Sequence, residues 1–183
     1  MIEVKEITIE EFENQIYDEY ILLFPDEEQR DWDKIRVTYN NGIEKFYAIV
    51  SEDTIVGFFM LEKIKDYPYY LDYFGIFKQY QNKGYGSQAI KELIKKVGSE
   101  GLIGEIEKED QNDIKTIKRF EFYKRLGFRK IDSEYYLYKV YYTPIECCNF
   151  KEISKEKYDE IFFDYYKLNC GEDEIRKKCK IIK

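Results

Sequence analysis

The stretch that most constrains this chain is Gln81-Asn82-Lys83-Gly84-Tyr85-Gly86, read with what flanks it. Before it, residues 69–77 (YYLDYFGIF) have the aromatic and β-branched composition of a strand. After it, Ala89, Ile90, Leu93, Ile94 and Val97 recur at helical spacing and make one apolar stripe. Two glycines therefore stand where a strand hands over to a helix. Glycine leaves the backbone open to close approach. The first turn of a helix adds N–H groups without helical partners and the positive end of the dipole. Such a turn suits a bound anion, and a plain turn that binds nothing is the other reading of the same residues.

The remaining elements follow from periodicity and punctuation. Ile2–Ile7 alternates apolar and polar as a first strand would, and Thr8-Ile9-Glu10-Glu11 is a capping box for a helix through Phe12, Ile16, Tyr20 and Leu23. Pro25 ends that helix, and Asp26 caps a second one carrying Trp32 and Ile35, which stops at Asn40-Asn41-Gly42. Residues 45–50 and 55–64 form a hairpin about Ser51-Glu52-Asp53-Thr54. Beyond the central strand, loop and helix come a strand at Leu102–Glu107, a helix over 113–126, and strands over 127–131 and 135–142. The pattern ends beyond Pro144. Residues 154–169 then read as an amphipathic helix presenting Tyr158, Ile161, Phe162 and Tyr165, closed by Gly171.

What is missing narrows the chemistry. There is no histidine, which removes imidazole bases, Ser-His-Asp triads and histidine metal sites. Cys147 and Cys148 are adjacent, and Cys170 and Cys179 are widely spaced, so they read as reduced thiols and not as a zinc site. No apolar run is long enough for a membrane span and no signal peptide stands at the start, so a cytoplasmic location is expected. Residues 78–130 hold 13 Lys and Arg against 8 Asp and Glu, a balance of +5, which leaves −12 for the rest of a chain of formal charge −7. A basic half suits a polyanionic cofactor and an acidic remainder attracts cations; the same balance argues against nucleic acid as the main partner.

Two motifs compete for the central loop. Gly84-Tyr85-Gly86-Ser87-Gln88-Ala89 fits the dinucleotide fingerprint G-x-G-x-x-A, with Glu105 about 20 residues on as a ribose-binding acid. However, residues 78–83 separate the strand from the first glycine, and the upstream chain reads as a hairpin, not as repeated βα units. The longer QNKGYG resembles the Q/R-x-x-G-x-G/A pyrophosphate loop of the GNAT superfamily of acyl-CoA N-acyltransferases, and it also explains the leading Gln. Phe122-Tyr123-Lys124-Arg125-Leu126-Gly127-Phe128 matches that superfamily's F-Y-x-x-x-G-F signature. The element order β α α β β β α β α β β is also that of the GNAT fold. The resemblance covers residues 1–142 and implies an α/β (α+β) fold, a mixed and mostly antiparallel sheet flanked by helices. Residues 143–183 are then a C-terminal extension with one amphipathic helix, whose apolar face needs the body of the protein or a second copy, as in a homodimer.

The resemblance also implies roles. Acetyl-CoA is the co-substrate and no metal takes part. Gln81, Asn82, Lys83, Gly84, Tyr85, Gly86 and Ser87 would hold the pyrophosphate. Phe74, Gly75 and Ile76 would run along the pantetheine arm, with Gly75 as a bulge and the Ile76 N–H as oxyanion donor. Tyr123 would protonate the departing thiolate, a core aromatic being its rival role. The base is a carboxylate: Asp72, which shares a face with Phe74 and Ile76 if no bulge intervenes, or Glu105 or Glu107, which alternate onto one face of the next strand. The position seven before the tyrosine, often Asn in the superfamily, is Thr116 here, and Asn112 lies further upstream, so that pantetheine contact does not carry over. Arg119, with Lys118 and Lys124, is placed to meet CoA phosphates. The function implied is acetyl-CoA-dependent N-acetylation of a small-molecule or peptide amine by direct attack. A cationic acceptor is expected, with Asp26-Glu27-Glu28 as its acidic wall. The alternative is a catalytically silent acyl-CoA sensor that offers the C-terminal helix to a partner.

Overall fold

The computed structural model describes residues 1–64, 66–137, 139–147 and 151–182. The chain divides into two compact units, residues 1–65 with 69–98 and residues 66–68 with 99–183. Both are built of mostly antiparallel strands flanked by helices, a mixed α/β fold.

The first unit contains β1 (Ile2–Ile7), α1 (Ile9–Gln15), α2 (Tyr17–Leu23), α3 (Trp32–Asn40), β2 (Glu44–Ser51), β3 (Thr54–Glu62), β4 (Tyr69–Ile76) and α4 (Tyr85–Val97). Its four strands pair antiparallel in chain order. That order excludes the dinucleotide reading, which needs parallel strands joined by crossover helices. The capping box forms as expected: Glu11 N–H donates to Thr8 Oγ1 at 3.2 Å, and Thr8 N–H to Glu11 Oε2 at 2.8 Å. The helix it opens breaks at Ile16, where φ reaches −130°, yet Phe12, Ile16 and Tyr20 all stay buried. Asp26 does not cap α3. It begins a short 3-10 turn, and Asp31 is the cap, accepting from Asp33 N–H at 2.9 Å. The helix starts late because Gln29 reaches back to the Phe24 carbonyl at 2.7 Å and holds the chain extended before it. The core of this unit is aromatic: Phe12 lies 4.6 Å from Phe46 and edge-on to Phe58 at 5.4 Å, all three fully buried.

The bulge in β4 is not at Gly75. Phe58 faces Gly75 in regular register, whereas Met60 pairs with Tyr73 and Leu61 with Leu71, so Asp72 is the extra residue. Gly75 is glycine for packing: a methyl group there would lie 2.8 Å from Leu23 Cδ1 and 2.9 Å from Phe58 Cε1.

The second unit contains β5 (Leu102–Glu107), α5 (Ile114–Arg125), β6 (Phe128–Lys130), β7 (Tyr135–Leu137), β8 (Val140–Cys147), α6 (Lys155–Cys170), α7 (Glu172–Lys178) and β9 (Cys179–Ile181). β8 pairs antiparallel with β5, β6 and β7, and β9 adds to β7. The single strand expected over 135–142 is a hairpin, with Lys139 at φ +70° in its turn and Tyr135 opposite Tyr142. The pattern does not end at Pro144 either. β8 continues through it to Cys147; Pro144 faces Glu105, and its carbonyl accepts from Ile131 N–H at 3.0 Å.

α6 lays the expected face inward: Tyr158, Ile161, Phe162 and Tyr165 are fully buried. Phe162 stacks on Tyr135 at 3.9 Å, and the Tyr158 hydroxyl donates to the Gly104 carbonyl at 3.3 Å. α7 and β9 were not expected. They are short, and β9 is ordered by pairing with β7 more than by any pattern of its own. Cys147 is a buried thiol and Cys170 and Cys179 are partly buried ones, and Cys148 lies outside the described residues. Among the described residues no helix is long and apolar enough to cross a membrane.

Candidate active site

The end of β4 sets up the loop. Phe77 N–H donates to the Val56 carbonyl on β3 at 2.9 Å. Antiparallel alternation then turns the N–H and C=O of Ile76 to the edge of β4 away from β3. The Gln81 side chain donates to that Ile76 carbonyl at 2.9 Å, so Gln81 ties the loop back to its strand. Lys78–Tyr80 form a 3-10 turn, Asn82 adopts φ +61°, and Gly84 caps α4 at φ +80°. Only glycine takes that last conformation without strain. Gln88 N–H is the first to bond within the helix, to the Gly84 carbonyl at 3.3 Å. By helix geometry the N–H groups of Gly84, Tyr85, Gly86 and Ser87 precede the ladder and converge at the positive end of α4. Lys83, with its ammonium 5.4 Å from the Tyr80 ring, adds a positive charge to the loop.

In the second unit Tyr123 is buried on α5, its ring edge-on to Phe128 and to Phe122 at 5.2 Å each. Burial pushes its phenol up to about 12, against a smaller pull from Arg119. It fills the role of a core aromatic, and its phenol stays protonated at neutral pH. Thr116 is buried and serves its own helix, accepting from Asp110 N–H at 2.8 Å and donating to the Asp113 carbonyl at 2.8 Å. Asn112 is held in a turn by Asp110, its N–H 2.8 Å from Asp110 Oδ1.

The three candidate bases sit in different settings. Glu105 and Glu107 share one face of β5, as alternation requires; Glu105 accepts from the Tyr166 hydroxyl, and Glu107 pairs with Arg119 at the surface. Asp72 does not share the face of Phe74. The bulge turns it, with Tyr73, toward the helices of its unit, where its Oδ2 lies 2.5 Å from Arg30 Nη1. Arg119, expected at CoA phosphates, is spent on Glu107 in this structure.

Sequence reasoning missed the group around Arg30. Its Nη1 also lies 2.8 Å from Glu44 Oε2 and 2.9 Å from Glu62 Oε1. Glu44 and Glu62 face each other across β2 and β3, and both are buried. Thr38 on α3 completes the contact, its hydroxyl 3.2 Å from Glu44 Oε2. Burial pushes the Glu44 carboxyl up to about 7 against the pull of Arg30, and raises Asp72 in the same way. The signal in the sequence was an acid at the start of β2, at the end of β3 and inside β4, with one arginine upstream of all three.

The comparisons with known proteins follow the same lines. A search of curated protein sequences returns no match. Among solved structures the chain is similar to a GNAT-family acetyltransferase from Bacteroides thetaiotaomicron, with TM-score 0.78 and 21% identity over 93% of this chain and 99% of that one. It is also similar to a GNAT-family acetyltransferase from Elizabethkingia anophelis with acetyl-CoA bound, with TM-score 0.60 and 16% identity over 80% and 97% of the two chains. A spermidine N-acetyltransferase chimera from Vibrio cholerae and hSSAT gives TM-score 0.61 and 13% identity over 80% and 94%. At these identities the likeness is one of fold. In sequence, the model of the Acetyltransferase (GNAT) family matches residues 9–128, a span that takes in both the 81–87 loop and the Tyr123 signature, and the chain belongs to that family.

Proposed function

We propose that this chain transfers the acetyl group of acetyl-CoA to an amine of a small molecule or peptide by direct attack. The observation that carries this is the N-terminus of α4, where Gly84 at φ +80° opens a turn of backbone N–H groups suited to a pyrophosphate. Asn82, Lys83, Gly84, Tyr85, Gly86 and Ser87 hold it, Gln81 fixes the loop, and Phe74, Gly75 and Ile76 run along the pantetheine arm. Arg119 reaches a CoA phosphate by exchanging its surface partner, a pair of the kind that contributes little on its own. CoA and acetyl-CoA are expected to raise the melting temperature and NAD to leave it unchanged. Gly86→Val, which puts a branched side chain where the phosphate would lie, is expected to abolish the CoA shift with the far-UV spectrum unaltered. CoA affinity equal to wild type in that variant would refute the loop assignment.

The amine nitrogen attacks the thioester carbonyl, and the Ile76 N–H stabilises the oxyanion. The C–S bond then breaks, the thiolate takes the phenolic proton of Tyr123, and a carboxylate takes the proton leaving nitrogen. Glu107 suits that last role best of the three candidates, since its partner is an exposed arginine, whereas Glu105 is bound by Tyr166 and Asp72 by a buried guanidinium. Tyr123→Phe is expected to lower kcat by roughly 10²-fold while acetyl-CoA binding holds. A fully active variant would return Tyr123 to the core alone.

The acceptor is a cationic amine. The −12 balance outside residues 78–130 supports this, as does the likeness to the spermidine N-acetyltransferase chimera. Among polyamines, lysine peptides, aminoglycosides and neutral aromatic amines, kcat/KM should favour the cations, with a preference that shrinks as salt screens the field. A neutral best substrate with no salt dependence would contradict it. A silent sensor has less support, because the α6 face it would offer to a partner is already buried. Thiols at Cys147, Cys170 and Cys179 fit a cytoplasmic location.

A further inference from the structure

Residues 24–31, between α2 and α3, are fastened to β4 and its surroundings at successive points. Phe24 packs edge-on to Tyr73 at 4.9 Å. The Tyr73 hydroxyl donates to the Glu28 carbonyl at 2.5 Å, Gln29 donates to the Phe24 carbonyl, and Arg30 N–H donates to the Tyr20 hydroxyl at 3.1 Å. Just before this segment, Leu23 packs against Gly75, next to the proposed oxyanion donor Ile76. The last fastening is the Arg30 guanidinium, in contact with Glu44, Glu62 and Asp72 from three adjacent strands. Its side chain is only 13% exposed and that of Asp72 18%. Three carboxylates against one guanidinium is an expensive arrangement to bury, and removing one partner leaves buried charge uncompensated. A surface loop with no positional task would not need it.

We propose that Arg30 is a positioning residue for the acceptor side of the reaction: held by Glu44, Glu62 and Asp72, it fixes residues 24–31 along β4 as a wall beside the reacting thioester, and Asp72 is its anchor and not the general base. This rests on the acetyltransferase reading above. A base must take up a proton in each turnover, and for Asp72 that would weaken a charge-assisted bond to Arg30 each time and release the wall. The charged and hydroxyl groups facing Asp72 are Arg30, Glu44, Glu62, Tyr20 and Tyr73, so its proton affinity belongs to the whole group.

Asp72→Asn keeps an acceptor oxygen for Arg30 but cannot accept a proton. Its bond to Arg30 loses the charge, so KM for the amine should rise, whereas kcat should stay within about threefold of wild type and the ascending limb of the pH profile should not move. Arg30→Ala should raise KM for the amine by roughly tenfold or more with acetyl-CoA affinity unchanged, and methylguanidinium at about 10 mM should restore it. If Arg30→Ala does not fold, Arg30→Lys gives the same division, because a single ammonium cannot reproduce the planar donor fork. Loss of kcat by about 10²-fold in Asp72→Asn together with loss of the pH limb would make Asp72 the base and overturn the proposal. A folded Arg30 variant with unchanged KM for the amine would overturn it as well. Absence of acetyl-CoA binding by the wild type would instead refute the underlying acetyltransferase reading, so the two failures are distinguishable.

Discussion

Phe162→Ala is expected to destabilise the protein by about 3–5 kcal/mol, the range for truncating a buried aromatic and leaving its cavity. The ring is fully buried, stacked 3.9 Å from Tyr135 at an interplanar angle of 12°, with Tyr166 4.5 Å away on the same helix. Tyr135 is itself fully buried and its hydroxyl is bound by Asp159 of α6, so neither ring can move to fill the space. The next residue supplies the control. Phe163 is 37% exposed, and its truncation should cost less than about 1 kcal/mol. Urea denaturation of the two variants measures the difference as a shift in midpoint at constant slope. Equal midpoints would mean that α6 does not form the core of its unit. Cutting the chain after Pro144 should be worse than either substitution, because it severs β8 between residues that pair with β5 and β6.

The contrast between β1 and β4 shows where the sequence was legible. Alternation over the first residues of Ile2–Ile7 reports a strand with one buried face, and the strand observed has those same limits. Likewise the Thr8 box, the α4 stripe and the inward face of α6 are local patterns, each decided by residues within a few positions of one another. Asp72 is different. Alternation assigns it to the face of Phe74, and the bulge that reverses it answers to Arg30, which lies 42 positions earlier in the chain. Nothing local in YYLDYFGIF reports that arginine. Glu44 and Glu62 were unreadable for the same reason, since an acid at a strand margin is most often solvated and only its long-range partner distinguishes it. In the loop the reverse held. The glycine turn and the helix behind it could be read in order, because a glycine, a turn and a helix N-terminus are neighbours in sequence as well as in space.

Glu44→Gln is the variant expected to reveal the electrostatics of the Arg30 group, and its signature is a change in pH dependence. The Glu44 carboxyl rises from the ordinary 4.5 to about 7, with burial the largest cause and Asp72 adding to it, against the attraction of Arg30. Between those two values the folded chain holds a proton that the unfolded chain has released. The stability this contributes is therefore fully present below the unfolded value and is lost as pH rises through about 7. Integrated over that window, the loss is about 3 kcal/mol. Asp72, raised by the same burial, contributes with the same sign, while Arg30 stays charged throughout. Gln at position 44 does not titrate, and removing one carboxylate relieves its repulsion of Asp72, so the variant should lose most of this slope. Measured by urea denaturation between about pH 5 and pH 8, wild type should weaken steadily relative to Glu44→Gln, with the two diverging by about 3 kcal/mol at the alkaline end. Comparing slopes removes the pH-independent cost of exchanging a carboxylate for an amide beside Arg30. Parallel stability curves over that interval would show that Glu44 folds as an ordinary ionised carboxylate, with the guanidinium outweighing burial.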